Sequence, residues 1–362
     1  MNMSIIGTGK IVHEALPVIA ATEGIAVRSI LAREHSLNKA EALAGRFGIP
    51  VVTTDYDAVL ADALVDTVYV ALINSVHFDY ALRALQADKH VILEKPACLR
   101  YSELLTLAME ARRRGLMLFE AVTLLHLPAF HIVRDELLPL LGTVRHVECN
   151  YSQRSSRYDA YLRGEVLPAF DPAAGGGALM DINIYNLHFV MALFGPPQDA
   201  CYYCRRGFNG VDLSGTVVMR KTPSPLPLKG ESGYLSRIDD NKQNILLSPS
   251  EGERGGGLED SSVYLCTGAK DSDAPSFGLV QGDRGWLRIE GPVSTMAGVT
   301  LCLRGEAPRA VPVPTVTHRL APEFAAFADI LGRRDFAAMN RLLDHSLMVM
   351  QLVDAICHPI RD

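Results

Sequence analysis

Apolar and polar residues along the first third of the chain follow the pattern expected of strands and helices that alternate. Short apolar runs bounded by turn residues predict strands that are buried on both faces, as in parallel sheets. Stretches with apolar residues at three- and four-residue spacing lie between these runs and predict amphipathic helices. The predicted strands are 3–6, 25–32, 67–73, 90–93 and 116–119, and the predicted helices include 36–47, 77–86 and 101–114.

This alternation predicts a doubly wound parallel sheet, the α/β fold of a Rossmann domain, over residues 1–121. Strand-like runs in the remaining residues, 122–362, mostly follow one another without regular helices between them. They predict a second, α+β domain with a mostly antiparallel sheet. Its strands are expected at 143–153, 199–206, 211–220, 263–269, 276–281, 285–290 and 298–304, and its helices at 128–141, 178–194, 322–331 and 336–357.

One segment does not fit this organisation. Residues 221–262 contain 17 Gly, Pro or Ser among 42 positions and a single aromatic residue, Tyr234. A stretch of this length without secondary structure is uncommon inside a compact domain. We expect a disordered or inserted loop between two strands, with a functional lid as the alternative.

The composition is that of an ordinary globular protein, with 48% hydrophobic and 21% charged residues among 362. A net charge of -6 argues against a nucleic-acid-binding protein, which would usually be basic. No apolar run approaches the roughly 20 residues that cross a bilayer, and a first strand that begins by Met3 leaves no room for a signal peptide. We therefore expect a cytoplasmic protein without a membrane partner. Scattered cysteines predict reduced thiols, and no cluster has metal-ligand spacing.

The first predicted strand ends in a glycine-containing turn before a helix, where Rossmann domains hold a dinucleotide pyrophosphate. Glycine at position 7 permits the tight turn, and glycine at position 9 lets the backbone approach the pyrophosphate. Val12 occupies the place of the usual third glycine, so the fingerprint is incomplete, and a plain strand-to-helix turn is the alternative. The predicted cofactor contacts here are Gly7, Thr8, Gly9, Lys10 and Ile11.

The end of the second strand bears on the choice of cofactor. An acidic residue there would bind the ribose 2′-hydroxyl of NAD, whereas the guanidinium of Arg33 suits the 2′-phosphate of NADP. NADP is therefore the predicted cofactor, and NAD stays an alternative because the acidic Glu34 follows directly. Asn74 and His77 follow the strand at 67–73 and are predicted to line the nicotinamide path. A purely structural role is the alternative for His77.

Lys95 directly follows the strand at 90–93, at the sheet edge where open α/β folds bind ligands. Oxidation of an alcohol requires the nicotinamide to accept a hydride, so the protein has to manage only the proton. A lysine that is desolvated beside a positively charged nicotinamide can act as the general base. Lys95 is therefore a predicted catalytic residue.

Three further catalytic candidates share one predicted helix. Asp181, Tyr185 and His188 lie at positions i, i+4 and i+7, which places them on one helix face. A tyrosine hydroxyl there can share or relay the substrate proton. The alternatives are a carboxylate favoured by the helix dipole for Asp181 and packing roles for the other two.

At the motifs Glu94-Lys95-Pro96 and Gly175-Gly176-Gly177 and at residues 181–188, the chain resembles the Gfo/Idh/MocA oxidoreductases. The resemblance covers most of the chain, excepting 221–262. It implies a Rossmann domain followed by a domain with an open-faced sheet, and an active site in the cleft between them.

The resemblance also implies roles for single residues. Glu94 would support the site, and Lys95 would contact the reacting hydroxyl. Independently of the resemblance, Glu94 and Lys95 are also predicted cofactor contacts. Asp181 and the residue at 185 would complete the polar group. Many members have histidine at the position of Tyr185. The tyrosine of this chain resembles the glucose-fructose oxidoreductase and dimeric dihydrodiol dehydrogenase branch, which has tyrosine there.

Together these observations predict an NAD(P)-dependent oxidoreductase that acts on a sugar, polyol, cyclic diol or related carbonyl, with Lys95 and Tyr185 handling the proton. An NAD-dependent inositol-type dehydrogenase is one alternative. The other is a nucleotide-sensing regulatory protein that has the same fold but no turnover, because a fold does not fix a function. An open sheet exposes an apolar face that needs covering, so a homodimer or homotetramer through the C-terminal sheet is expected.

Overall fold

The computed structural model describes residues 1–221 and 261–357. The predicted loop at 221–262 therefore lies almost entirely outside the described residues. The chain divides into two compact units. The first consists of Met1–Thr123 and Val316–Leu347, and the second consists of Leu124–Thr315 and the residues from Met348 onwards.

A parallel sheet forms the centre of the first unit and confirms the predicted doubly wound fold. Its strands are β1 (Asn2–Ile6), β2 (Ala26–Leu31), β3 (Val51–Thr53), β4 (Thr67–Val70), β5 (His90–Glu94) and β6 (Leu118–Ala121). The strand order is β3-β2-β1-β4-β5-β6. Ile5, Val68 and Ile92 are completely buried, as expected of parallel strands that helices cover on both faces. The order reverses between β1 and β4, and such sheets bind ligands at the carboxyl ends of these strands.

Helices connect these strands as the sequence pattern predicts. They are α1 (Lys10–Ala21), α2 (Leu37–Phe47), α3 (Tyr56–Ala61), α4 (His77–Gln86) and α5 (Tyr101–Arg114). The helix ends follow local rules. The side chain of Asp55 accepts hydrogen bonds from two N–H groups at the start of α3, while Gly48 and Gly115 end α2 and α5 in the left-handed conformation.

The second unit begins with helical segments. The predicted helix at 128–141 is a continuous stretch of α6 (Pro128–Ile132), a π-helical segment (Val133–Leu137) and a 3-10 segment (Leu138–Leu141). The predicted helix at 178–194 similarly consists of a π-helical segment, Leu179–Asn183, followed by a regular helix. Between these two stretches lies α7 (Tyr158–Leu162), and the regular helix that follows the π-helical segment Leu179–Asn183 is α8 (Ile184–Phe194).

A mixed sheet forms the rest of the second unit. Its strands are β7 (Val144–Ser152), β8 (Asp199–Arg206), β9 (Asp212–Lys221), β10 (Ser262–Ala269), β11 (Phe277–Gly282), β12 (Gly285–Glu290), β13 (Gly298–Leu303) and β14 (Arg309–Val311). The order is β14-β13-β12-β11-β7-β10-β9-β8, and only the β7–β10 pair is parallel within the described strands. The predicted mostly antiparallel sheet is confirmed. Helix α8 packs against β7 and β10.

The helical stretch Pro172–Phe194 is long and apolar enough to cross a membrane by length and composition. However, 83% of its apolar window is buried within the protein, and core helices meet the same two criteria. The stretch is therefore weak evidence for a membrane span. Every residue of α8 except Tyr185 is buried, which fits a core helix.

The closing helices are α9 (Ala321–Arg333) and α10 (Phe336–Cys357). Residues 316–347 belong to the first unit, although the sequence pattern predicted one domain over 122–362. Aromatic packing explains the difference. The ring of Phe324 meets that of Tyr69 edge-on at 5.5 Å between centroids, and α9 also packs against α1. The chain thus returns to complete the core of its Rossmann domain.

Candidate active site

The turn after β1 has the geometry of a dinucleotide site. Gly7 has φ of +121°, and a Cβ there would lie 2.5 Å from the carbonyl oxygen of Ala71. The position therefore requires glycine. Gly9 precedes the first residue of α1, and a Cβ there would meet no atom within 4 Å. The open backbone and the N–H groups of the first turn of α1 fit a pyrophosphate.

The other predicted cofactor residues near this turn are accessible. Lys10 is exposed, and Thr8 and Ile11 are half-buried. Val12, at the place of the usual third glycine, is completely buried, so it contributes to the core rather than to the cofactor surface.

Arg33 is exposed on the loop that follows β2. Ile6 at the end of β1 pairs with Leu31 at the end of β2, and the N–H of Gly7 donates to the carbonyl of Leu31 at 2.9 Å. The glycine turn and Arg33 therefore lie at the same edge of the sheet, where a dinucleotide can extend from one to the other. Glu34 is exposed beside Arg33.

His77 differs from the prediction that it lines the cofactor path. Its ring is completely buried, with Nδ1 3.0 Å from the carbonyl oxygen of Pro96 and Nε2 3.2 Å from that of Leu72. Burial lowers the pKa of His77. The ring therefore connects the loops after β4 and β5, which is the structural alternative. Asn74, three residues earlier, is half-buried.

Lys95 is half-buried directly after β5, as predicted. Glu94, the last residue of that strand, accepts a hydrogen bond at 2.5 Å from the hydroxyl of Tyr69, which is completely buried. Removal from water raises the pKa of Glu94, while the Tyr69 hydroxyl and the positive charges of Lys95 and Arg319 act in the opposite direction. Glu94 is thus held in one place beside the lysine.

A second carboxyl supports the loop that carries Lys95. The N–H of Ala97 donates to Oε1 of Glu120 at 2.8 Å, and both groups are buried. Burial raises the pKa of Glu120, and the hydrogen bond from the Ala97 N–H and the charge of Lys95 partly offset this effect. Together with the contact of His77 to the Pro96 carbonyl, this bond fixes the peptide group between Pro96 and Ala97. An acidic residue inside the apolar run of β6 was the sequence signal for this role.

The glycine run of the second unit allows close packing at the start of a helix. Gly177 has φ of +122°, and a Cβ there would overlap the carboxylate of Asp212. The same carboxylate accepts hydrogen bonds from the N–H of Leu179 at 2.7 Å and from the hydroxyl of Tyr202 at 2.6 Å. The missing side chain at 177 therefore lets Asp212 cap the helical segment that follows.

Asp181 lies in the π-helical segment before α8, and Tyr185 lies in the first turn of α8. Both are half-buried. The ring of Tyr185 is 6.1 Å from that of Tyr151 on β7. Oδ2 of Asp181 lies 2.8 Å from Nζ of Lys270, a residue that the sequence analysis did not select. π-Helical turns occur often at functional sites.

His188, a predicted catalytic residue, is 1% exposed, and this burial fits the packing role that was its alternative. It lies among the core residues of α8, and the helix face that Asp181 and Tyr185 present does not include it. Asn183 has a defined structural role, because its amide donates to the carbonyl of Cys266 on β10 at 2.8 Å. Gly268 leaves room for this approach, since a Cβ there would lie 2.7 Å from that of Asn183.

Comparisons with known proteins agree with this geometry. Residues 1–122 match the model of an oxidoreductase family with an NAD-binding Rossmann fold, and residues 140–222 match the Gfo/Idh/MocA C-terminal domain. An uncharacterised oxidoreductase of Escherichia coli, YgjR, is 34% identical over 255 residues, which cover 70% of this chain and 74% of that protein. The chain belongs to the Gfo/Idh/MocA oxidoreductase family.

Two further comparisons extend this finding. The scyllo-inositol 2-dehydrogenase (NADP(+)) IolU of Bacillus subtilis is 33% identical over 219 residues, 60% of this chain and 66% of that protein. A 3-ketoreductase of Actinomadura kijaniata, solved with NADP and TDP-benzene, shares the fold with a TM-score of 0.76 at 22% identity, over 99% of this chain and 97% of that chain. The family resemblance inferred from the motifs of this Gfo/Idh/MocA oxidoreductase is confirmed.

Within residues 1–221 and 261–357, no group of His, Cys, Asp or Glu side chains could hold a metal ion.

Proposed function

We propose that this Gfo/Idh/MocA oxidoreductase transfers a hydride between NADP and a polyol, sugar, cyclic diol or related carbonyl compound. The observation that carries the proposal is the placement of Lys95. It is half-buried at the carboxyl end of β5, in the unit that holds the glycine turn, on a loop that Glu120 fixes. A small polyol or related substrate is supported by the inositol dehydrogenase among the relatives.

When bound, the nicotinamide supplies the hydride chemistry. Lys95 would then hold and exchange the proton of the substrate oxygen. The charge of Lys95 acts on both Glu94 and Glu120, and an ammonium group between such carboxyls and the substrate can donate a hydrogen bond to that oxygen. We assign the second proton-handling role to Tyr185, because every other residue of α8 is buried. Asp181 would orient a substrate hydroxyl.

The experiment combines nucleotide binding with a substrate panel. NADPH fluorescence should report binding, and absorbance of the nicotinamide should report turnover of scyllo-inositol, a trans-dihydrodiol and an aldose. We expect Lys95→Met to bind NADPH but to lose at least about 100-fold in kcat, because a positioned proton-transfer group contributes roughly that much or more. Lys89→Met is the control, since Lys89 bonds only to the carbonyls of Asp62 and Val65 among the contacts of its ammonium group that the structure describes.

Three outcomes would contradict parts of this proposal. Turnover by Lys95→Met at the parent rate would remove the assigned role of the lysine. Nucleotide binding by the parent without turnover of any compound in the panel would favour the nucleotide-sensing alternative. An inositol-type reaction that proceeds equally well with NAD would favour the other alternative.

The preference for NADP rests on Arg33, which is exposed at the edge of the sheet next to the glycine turn. A hydrogen bond to a charged group contributes about 1.5–3 kcal/mol, which corresponds to roughly 10- to 100-fold in affinity. We expect Arg33→Ala to weaken NADPH binding by this factor and to leave NADH binding nearly unchanged. Glu34→Gln is the matched control. Equal losses for both nucleotides in Arg33→Ala would contradict the assignment.

We also propose a homo-oligomer through the second unit. Helix α8 packs on the face of the sheet that carries buried residues such as Val147 and Val280. On the opposite face, Leu265, Leu279 and Trp286 are only half-buried, and the strand register places Leu265 and Leu279 beside Glu148 on that face. Burial of such apolar area favours association. Sedimentation of a monomer alone at micromolar concentration would contradict this proposal.

A further inference from the structure

Lys270, the residue directly after β10, is a buried lysine with an unusual set of contacts. The residue is 2% exposed. Its ammonium group donates to the carbonyl of Ala169 at 2.5 Å and lies 4.7 Å from the centroid of the Phe170 ring. It also lies 2.8 Å from Oδ2 of Asp181. A buried charge is costly unless ion pairs and hydrogen bonds offset the loss of water, and here all three contacts serve that purpose.

The backbone of Lys270 is fixed as firmly as its side chain. Its N–H donates to the carbonyl of Leu213 at 2.8 Å, and its carbonyl accepts from the N–H of Ser155 at 2.8 Å. These bonds attach Lys270 to β9 on one side and to the loop after β7 on the other. The ammonium group therefore has little freedom to follow a moving partner, and its position sets that of the partner.

Two other carboxylates lie close to Lys270, and both have other partners. Asp212 is bonded to the hydroxyl of Tyr202 at 2.6 Å, and burial raises its pKa while the charge of Lys270 opposes that effect. Asp271 pairs with Arg205 at 2.6 Å. Asp181 is thus the carboxylate that forms the direct ion pair with Lys270.

The two members of the pair differ in access to solvent. The side chain of Asp181 is 39% exposed, whereas that of Lys270 is 3% exposed. A substrate can therefore reach the carboxylate but not the ammonium group. An ion pair of this kind can act on a substrate only by fixing the exposed partner.

We propose that Lys270 is a positioning residue for the oxidoreductase reaction, which holds the carboxylate of Asp181 in the orientation that receives the substrate. This inference rests on the substrate-orienting role proposed for Asp181. Lys270 itself does not touch the substrate.

A double-mutant cycle tests this inference, with Lys270→Met, Asp181→Asn and the double variant. The kcat and KM of the NADP-linked reaction are measured with whichever panel compound the parent turns over, scyllo-inositol first. We expect Lys270→Met to lower kcat/KM by about 10-fold or more and the double variant to be within about 2-fold of Asp181→Asn, because residues that act as a unit are not additive. Independent, multiplying losses would overturn the inference.

Separate outcomes distinguish this inference from the role of Asp181 itself. Parent-like kcat/KM in Asp181→Asn would remove the proposed role of Asp181. A clear loss in Asp181→Asn together with parent-like kcat/KM in Lys270→Met would overturn only the role of Lys270. Lys89→Met is the matched control, because Lys89 is also a buried lysine, 8% exposed, in the other unit. It should lose stability but keep kcat/KM.

Folding is checked by NADPH affinity and thermal unfolding. If Lys270→Met does not fold, Lys270→Gln replaces it in the same cycle, since an amide can still donate to the carbonyl of Ala169 but carries no charge for Asp181. The same non-additivity with Asp181→Asn is expected, and additive losses would overturn the inference in this series as well.

Discussion

Glu323 on α9 is a buried carboxyl group that should control how stability depends on pH. It is 1% exposed. The hydroxyl of Thr123 donates to its Oε2 at 3.3 Å, and its Oε1 has no hydrogen-bond partner among the described residues. Burial raises the pKa of Glu323 well above the usual range, and the charge of Glu94 acts in the same direction. The folded protein therefore keeps a proton that the unfolded chain releases.

The size of the effect follows from proton linkage. The pKa of Glu323 is higher in the folded protein than in the unfolded chain. Its contribution to stability is therefore fully present below the unfolded pKa and is lost as the pH rises towards the folded pKa. Between these two values, the free energy of unfolding falls by about 1.4 kcal/mol per pH unit for one retained proton. Glu323→Gln has no such proton. Relative to the parent, the variant should gain about 1.4 kcal/mol of stability per pH unit across this window.

Urea unfolding of parent and variant between about pH 5 and pH 8 measures this difference. Glu110→Gln is the control, because the bonds of Glu110 to Arg113 and Arg114 lower its pKa to about 2. The stabilising contribution of Glu110 is lost only as the pH falls below its unfolded pKa. The free energies of unfolding of Glu110→Gln and of the parent should therefore differ by a constant amount in the pH range used. A constant difference between Glu323→Gln and the parent would refute the reasoning.

Two further substitutions test the supports of the site. Glu120→Leu removes the acceptor of the Ala97 N–H and should lower the free energy of unfolding by about 1–3 kcal/mol. It should also lower kcat, whereas Glu120→Gln keeps an acceptor and is the control. Equal urea midpoints for the two variants would contradict the role of this bond. Gly177→Ala places a methyl group against Asp212 at positive φ and should cost about 1–3 kcal/mol, with NADPH affinity unchanged; an unaltered thermal midpoint would contradict that account.

Local pattern was enough to predict the central strands and most helices. Strands such as β4 and β5 are short, continuous apolar runs, and burial on both faces produces that pattern directly. The strands that the pattern missed, β3 and β14, have three residues each and lie at the edges of their sheets. An edge strand buries little side-chain surface, so its sequence carries little periodic signal. The position of α9 in the first unit depends on Phe324 meeting Tyr69, which no local pattern encodes.

The site shows the same division between local and distant information. Gly7 and Lys95 could be located because each immediately follows a recognisable strand. His77 was selected by its place after a strand and His188 by helical spacing, and burial of both rings depends on residues from other elements. Lys270 could not be selected, because its significance arises from Asp181, 89 positions earlier, and nothing near 270 in the sequence resembles a motif.

Gly7 and Gly177 illustrate why a glycine motif alone does not identify a ligand site. Both have positive φ. The absence of a side chain at Gly7 leaves room for the backbone carbonyl of Ala71, whereas at Gly177 it leaves room for the side-chain carboxylate of Asp212. At Gly7 the close approach shapes a surface that a pyrophosphate can reach. At Gly177 the approach is internal, because Asp212 uses the space to cap Leu179 and to bond Tyr202. Gly177 therefore serves to fix the helical segment from which Asp181 projects.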